Sequence, residues 1–306
     1  MRSDLALLTR LRWLLLVLLL AATGLAVTRL VPSEAAAKEP QLLAADPVVT
    51  AAGDISPHAL NNQVDTSDRV LAINPTVALT LGDNQYPEGA LADYRAFYDP
   101  TWGRFKAITR PVPGNHEYRT PGAVGYFDYF GSLARPEGTS YYSFDLGGWH
   151  LVALDSNIAS DPGSPQEEWL RADLAATDRR CILAYWHHTR FSSGTNHGGD
   201  PSVGPFWNAL YQAGADVVLS GHEHNYERFG RQDPSTRATE AGIRQFVVGT
   251  GGAGHYGFGN PEPNSQFREA STFGVLKLTL QPTSYEWQFV SSAGEVIDAG
   301  GPDACH

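Results

Sequence analysis

The sequence predicts an α/β fold in which short strands alternate with helices and polar loops gather at the strands' carboxyl ends. Three observations carry this. Seven short apolar, β-rich runs recur along the chain, helical patterns fall between several of them, and the runs repeatedly close on Gly, Asp, Asn or His. With 306 residues, 42% of them hydrophobic, there is enough apolar surface for a packed core. The composition is not that of a disordered, collagenous or coiled-coil chain. A net charge of −11 argues against a nucleic-acid binder, which needs a basic face for phosphates. No internal repeat or low-complexity tract is present.

The N-terminal segment reads as a targeting sequence rather than part of the fold. Arg2, Arg10 and Arg12 precede an apolar run from Trp13 to Val27, and Ala35-Ala36-Ala37 offers the small residues of a signal-peptidase site. The run falls short of the roughly 20 residues that cross a bilayer as a helix. Cleavage after Ala37 is therefore expected, with an uncleaved membrane anchor as the alternative. Residues 38–46 then read as a short linker and 47–306 as a single domain. An exported chain meets an oxidising compartment, so Cys181 and Cys305 are expected to form one disulfide tying the C-terminal tail to the core. Two unpaired thiols, with Cys181 buried at a strand start, are the alternative.

Within the domain the strand-like runs are Val48–Ala52, Val77–Leu81, Ile108–Val112, Leu151–Leu154, Ile182–Trp186, Val217–Leu219 and Phe246–Val248. Helices are expected over Ser67–Ile73, Ala90–Tyr98, Pro165–Ala176 and Gly204–Ala213. The third is the best marked: Ser164-Pro165 supplies a cap and a first-position proline, with Glu167 and Glu168 in the first turn. Two antiparallel hairpins are expected, Tyr141–Leu146 with Trp149–Leu154 around Gly147-Gly148, and Gly274–Leu280 with Tyr285–Val290 around Gln-Pro-Thr-Ser.

Five strand-ending segments carry the chemistry. They are Gly53-Asp54, Gly82-Asp83-Asn84-Gln85-Tyr86, Gly114-Asn115-His116-Glu117, His187-His188 and Gly221-His222-Glu223-His224. Four begin with glycine, expected to let the backbone turn sharply and aim the next side chain into a shared crevice. Only oxygen and imidazole donors recur, with no cysteine nearby, which excludes a thiolate zinc site and favours hard or borderline metal ions. One such segment alone is a turn. Five, each closing a strand, point to a common site.

Taken in order, these segments resemble the five motifs of the calcineurin-like metallophosphoesterases. They are most similar to the purple acid phosphatase branch, because Tyr86 stands three residues after Asp83. The resemblance runs from about Val48 to the C-terminal hairpin. It departs at Asp54-Ile55-Ser56, where the family often has Asp-x-Gly, and at Ala184, where it usually has Val; neither change removes a ligand. The resemblance implies a metallophosphoesterase-type β-sheet sandwich flanked by helices, with the active site at the strands' C-terminal ends and one catalytic domain over 47–306. It also implies a binuclear metal centre. Asp54, Asp83, Tyr86 and His224 would hold one ion, and Asp83, Asn115, His187 and His222 the second, with Asp83 bridging. Two carboxylates and a phenolate suit Fe³⁺, while two imidazoles and an amide suit Fe²⁺, Zn²⁺ or Mn²⁺. One bridging carboxylate places two cations at the roughly 3.5–4 Å that in-line phosphoryl displacement uses.

The implied reaction is hydrolysis of a small phosphomonoester by a metal-bound hydroxide, in an exported protein with no nucleic-acid partner and no stable membrane span after cleavage. His116, beside Asn115, is expected to donate to a phosphoryl oxygen or to protonate the leaving alkoxide. His197 lies in a Gly/Ser/Asn loop ten residues after His187 and is the second substrate-facing candidate by the family pattern. His188 is expected to orient His187. His58, His150, His255 and His306 read as surface or structural histidines. Asp155 and Asn157 end a strand, and either line the site or form a turn. A phosphodiesterase on the same site is one alternative. A non-catalytic exported binding protein with a relic site is another, although a relic should have lost ligands and all seven positions are intact. The sequence carries no signal for oligomeric state.

Overall fold

A computed structural model describes residues 45–58 and 61–306. The expected signal peptide, residues 1–37, and most of the linker lie outside the described residues. Among the described residues no helix is long and apolar enough to cross a membrane.

The chain begins with β1 (Val48–Ala52), β2 (Val77–Leu81), β3 (Thr109–Val112), β4 (Tyr142–Leu146) and β5 (Trp149–Ala153). Then come β6 (Cys181–Tyr185), β7 (Val217–Ser220), β8 (Tyr226–Phe229), β9 (Arg244–Val248) and β10 (Ser265–Glu269). It ends in β11 (Gly274–Gln281), β12 (Ser284–Ser291) and β13 (Val296–Ala304). Helices lie between: α1 (Asn62–Ile73), α2 (Leu91–Asp93, continued by a π-helical turn to Tyr98), α3 (Val124–Phe130), α4 (Pro165–Ala176) and α5 (Gly204–Gln212). One sheet has the order β13-β12-β11-β1-β2-β3 and the other β10-β8-β9-β7-β6-β5-β4. Parallel runs β1-β2-β3 and β5-β6-β7-β9 sit within them, with antiparallel strands alongside.

Side-chain alternation sets the layers. In β6, Cys181, Leu183 and Tyr185 join a core that also holds Val49, Ala51, Leu79 and Leu81 of the other sheet. Ile182 and Ala184 point the opposite way, into a second core with Leu170 and Leu174 of α4 and Phe206, Trp207 and Leu210 of α5. A strand covered on both faces has no polar side, so it reads as an unbroken apolar run. The sheets therefore stack with helices outside, the sandwich that the resemblance implies. The cap of α4 forms as expected: the Ser164 hydroxyl accepts the Glu167 N–H, and Pro165 opens the helix.

Both hairpins form, as β4-β5 and β11-β12. Other elements depart from expectation. The first helix starts at Asn62 rather than Ser67, and β8, β10, β13 and α3 lie where no element is expected. The strand β13 carries Gly300, Gly301 and Pro302, and β10, on an edge, has Phe267 as its one apolar residue, so neither shows apolar–polar alternation in sequence.

Cys181, at the start of β6, is bonded to Cys305, just past β13. The bridge joins residues 124 apart in sequence, a loop for which chain entropy alone is worth about 4–5 kcal/mol at most. Reduction, or Cys305→Ser, should lower the melting temperature, and no thiol should titrate before reduction. Two titratable thiols in the unreduced, unfolded protein would contradict the bridge.

His150 is structural. On β5, its Nδ1 lies 2.9 Å from Asp145 and its Nε2 2.8 Å from Asp173 of α4. Burial alone would push the imidazole down, but the two carboxylates outweigh it and hold its pKa above the ordinary value. A raised folded-state pKa gives stability that is complete below the unfolded value near 6.5 and is lost as pH climbs through the folded value. From pH 6 to 9 the melting temperature of the wild type should therefore fall relative to that of His150→Gln. Parallel curves would show that the ion pairs do not form.

Candidate metal centre

The five segments close β1, β2, β3, β6 and β7, whose carboxyl ends lie along the same edge of the sandwich. Backbone bonds lock the loops together. The Asp54 and Ile55 amides donate to the Gly82 and Asp83 carbonyls at 3.0 and 2.9 Å, and the Gly221 amide to His187 at 3.1 Å. Three of the candidate residues, Asp54, Asp83 and His222, adopt left-handed backbone angles, with φ of 59°, 47° and 72°. Such conformations cost energy in non-glycine residues and persist only where the surroundings impose them.

The glycines act differently from the expectation. Only Gly82 has a left-handed φ; at Gly53, Gly114 and Gly221 the chiral strain sits on the next residue or is absent. What those positions need is closeness. A Cβ on Gly114 would lie 2.2 Å from Asp83 Oδ1 and 2.3 Å from the Asp83 amide nitrogen, and one on Gly221 would lie 2.7 Å from Asp54 Oδ2.

All seven candidate ligand side chains converge, in two groups. Around the Tyr86 hydroxyl lie Asp54 Oδ1 at 2.9 Å, His224 Nε2 at 3.0 Å and Asp83 Oδ2 at 3.1 Å. Around His187 Nε2 lie Asn115 Oδ1 at 3.0 Å, His222 Nδ1 at 3.1 Å and Asp83 Oδ1 at 3.4 Å. Asp83 thus gives one oxygen to each group. His187 and His224 are held by their other nitrogens: Nδ1 donates to the Leu81 carbonyl at 2.8 Å and to the Gly254 carbonyl at 2.7 Å, respectively. In the neutral rings this leaves each Nε2 a bare lone pair aimed into the site.

The donors outnumber the protons. Tyr86 has one proton for three acceptors, and His187 Nε2, which carries one proton at most, is ringed by an amide oxygen, a carboxylate oxygen and a second imidazole nitrogen. Electrostatics give the same picture. Burial, then the Asp54 and Asp83 charges, raise the Tyr86 pKa well above 10, so the phenol ionises only against a cation. Burial opposes ionisation of Asp83, but His187 and His116 outweigh it and hold the carboxyl far below its usual range. Burial likewise opposes charging His187, yet Asp83 pushes its pKa up to about 9, a proton that an ion would displace. The residues present fit two hard or borderline cations.

The outer histidines separate. His116 faces the site with Nε2 3.8 Å from Asp83 Oδ2, its ring 4.3 Å from the Tyr86 ring and its Nδ1 2.6 Å from the Pro87 carbonyl. His197 stacks on His222 with ring centres 4.0 Å apart. His188 does not hold His187, whose orientation comes from the Leu81 carbonyl; it bonds Ser156 instead. Asp155 and Asn157 form a turn, the Asn157 amide donating to Asp155 at 3.0 Å, with Asp155 also accepting from Tyr118. Tyr256 carries no sequence signal, yet its ring stacks on His224 at 3.9 Å. Glu117 stands in a quoted motif, but its role shows only in three dimensions: it accepts the Gly114 and Gln85 amides and so ties the Asn115 loop to the Asp83 loop.

A sandwich of two mixed sheets with oxygen and imidazole donors crowded at the strand ends defines an α/β protein with a candidate metal centre. The chain belongs to the calcineurin-like phosphoesterase family, whose model matches residues 47–226. It is 32% identical to purple acid phosphatase 15 of Arabidopsis thaliana over 62% of this chain and 42% of that protein. To purple acid phosphatase 21 of the same plant it is 31% identical, over 71% of this chain and 54% of that one. The chain therefore spans about half the length of these curated relatives. Its fold is similar to that of a purple acid phosphatase from yellow lupin seeds (TM-score 0.73, 18% identity, 84% of this chain and 53% of that one). It is also similar to that of GAP50, the anchor in the inner membrane complex of Plasmodium (TM-score 0.68, 17% identity, 86% and 90%).

Proposed function

We propose that this chain is an exported phosphatase that hydrolyses small phosphomonoesters at a binuclear centre held by Asp54, Asp83, Tyr86, Asn115, His187, His222 and His224. The observation that carries the reading is the division of the Asp83 carboxylate between two donor groups. Fold alone does not decide it, since an anchor protein shares the sandwich. Two carboxylates and a phenolate favour Fe³⁺ in the first group, and the amide and imidazoles favour Fe²⁺, Zn²⁺ or Mn²⁺ in the second. When bound, such a pair supplies Lewis acidity and an acidified water for in-line displacement at phosphorus.

The chain's own residues do the rest. His187 and His224 are pre-oriented through Nδ1 by the Leu81 and Gly254 carbonyls, so little reorganisation of these rings is needed on binding. His116, anchored through Nδ1 on Pro87, keeps Nε2 free to carry a proton to the leaving oxygen. His197, stacked on His222, brings a second imidazole to the other donor group. Two such groups suit the dianion of a monoester better than the single charge of a diester. Export is supported by the N-terminal pattern and by the disulfide.

The test compares turnover of an aryl phosphate and a bis-aryl phosphate by the purified full chain. Faster monoester hydrolysis is expected; preference for the diester would favour a phosphodiesterase, and no turnover of either by the metal-loaded protein would favour a binding protein. His116→Ala should keep its metal content while kcat falls by about 10²–10⁴-fold. The loss should shrink for good leaving groups, which need no proton, and an equal loss for all would assign His116 to binding alone.

A further inference from the structure

Loop 192–198, which carries His197, is held from the segment that bears His222 and His224. Glu227, wholly buried in β8, accepts the Ser193 amide at 2.8 Å and the Ser193 and Ser265 hydroxyls at 2.5 and 2.6 Å. Glu223 lies between His222 and His224 and is also wholly buried; its Oε1 accepts the His197 amide at 2.5 Å and the Gly198 amide at 2.6 Å. Its Oε2 has no partner, and Gly194 passes so close that a Cβ there would meet that oxygen and Cδ at 2.4 Å. A carboxylate buried at this cost is retained for what it bonds, and what it bonds is the backbone that places His197.

We propose that Glu223 is a positioning residue: it clamps the backbone at His197 and Gly198 and so fixes the His197 ring over His222. The catalytic consequence rests on the reading of His197 as substrate-facing; the clamp itself does not. Because Oε1 alone makes both bonds, a glutamine can keep them, whereas leucine cannot.

The experiment is amide hydrogen exchange on the full chain, read in peptides covering 195–199. Glu223→Leu should speed exchange there by about 10–100-fold, the range for losing a hydrogen bond to a charged group. Gly194→Ala, which crowds the carboxylate without removing it, should speed it as well, and Glu223→Gln should stay near wild type. In turnover of an aryl phosphate, Glu223→Leu should lower kcat/KM as His197→Ala does, add little to His197→Ala, and leave the metal content unchanged. Unchanged exchange in both Glu223→Leu and Gly194→Ala overturns the clamp. Additive losses with His197→Ala, or loss of metal in Glu223→Gln, overturn the coupling to His197. If His197→Ala turns over at the wild-type rate, the role given to His197 fails, while the exchange rates still decide the clamp.

Discussion

Replacing Asp83 with alanine should remove both ions and nearly all phosphate-ester turnover. The carboxylate sends Oδ2 to the Tyr86 group and Oδ1 to the His187 group, so among the described residues it alone reaches both. Two metal ions stabilise the charge of a phosphoryl transition state by several kcal/mol. Losing that corresponds to about a thousandfold or more in rate, at about 1.4 kcal/mol per decade. Elemental analysis and turnover of an aryl phosphate read the two losses together, and circular dichroism checks that the sandwich still forms. A variant with wild-type ion content and rate would mean that Asp83 bridges nothing.

Gly114→Ala should be almost as damaging, although it adds one carbon and removes no donor. The added Cβ would lie 2.2 Å from Asp83 Oδ1 and 2.3 Å from the Asp83 amide nitrogen, and a backbone atom cannot step aside as a flexible side chain can. Either the loop after β3 or the loop after β2 must move, separating Asn115 from Asp83. Overpacking of this kind costs about 1–3 kcal/mol in stability. Its larger effect should be on ion retention, because ligand geometry tolerates only small displacements. Gly257→Ala is the control, since a Cβ there meets nothing within 4 Å. Equal ion content in the two variants would remove close packing as the reason for the glycine.

Much of this arrangement is legible in one dimension because the parallel strands are buried on both faces. Val77–Leu81 and Cys181–Tyr185 are wholly buried runs, and each must turn at the carboxyl edge of its sheet, which is where Asp83 and His187 stand, themselves buried. The hairpins are legible from their alternation, and α4 from its cap. The sequence is silent where tertiary partners override local pattern. Strand β8 contains the buried Glu227, whose carboxylate is satisfied by Ser193 of a distant loop and by Ser265 at the start of β10, so its polarity hides the strand. Strand β13, broken by Gly300, Gly301 and Pro302, is held by pairing with β12 and by the Cys305 bridge. The same holds in the site. His187 is oriented by the carbonyl of Leu81, 106 residues away, and Tyr256 reaches His224 from a loop without a motif. The strain at Asp54, Asp83 and His222 shows only in their backbone angles.

Whether two ions share Asp83 is decided by the number and identity of metal ions bound per purified chain. Two ions per chain are expected, one of them iron, with iron selectively weakened in Tyr86→Phe and both ions lost in Asp83→Ala. One ion or none in a fully folded, metal-supplied wild type would contradict the shared bridge.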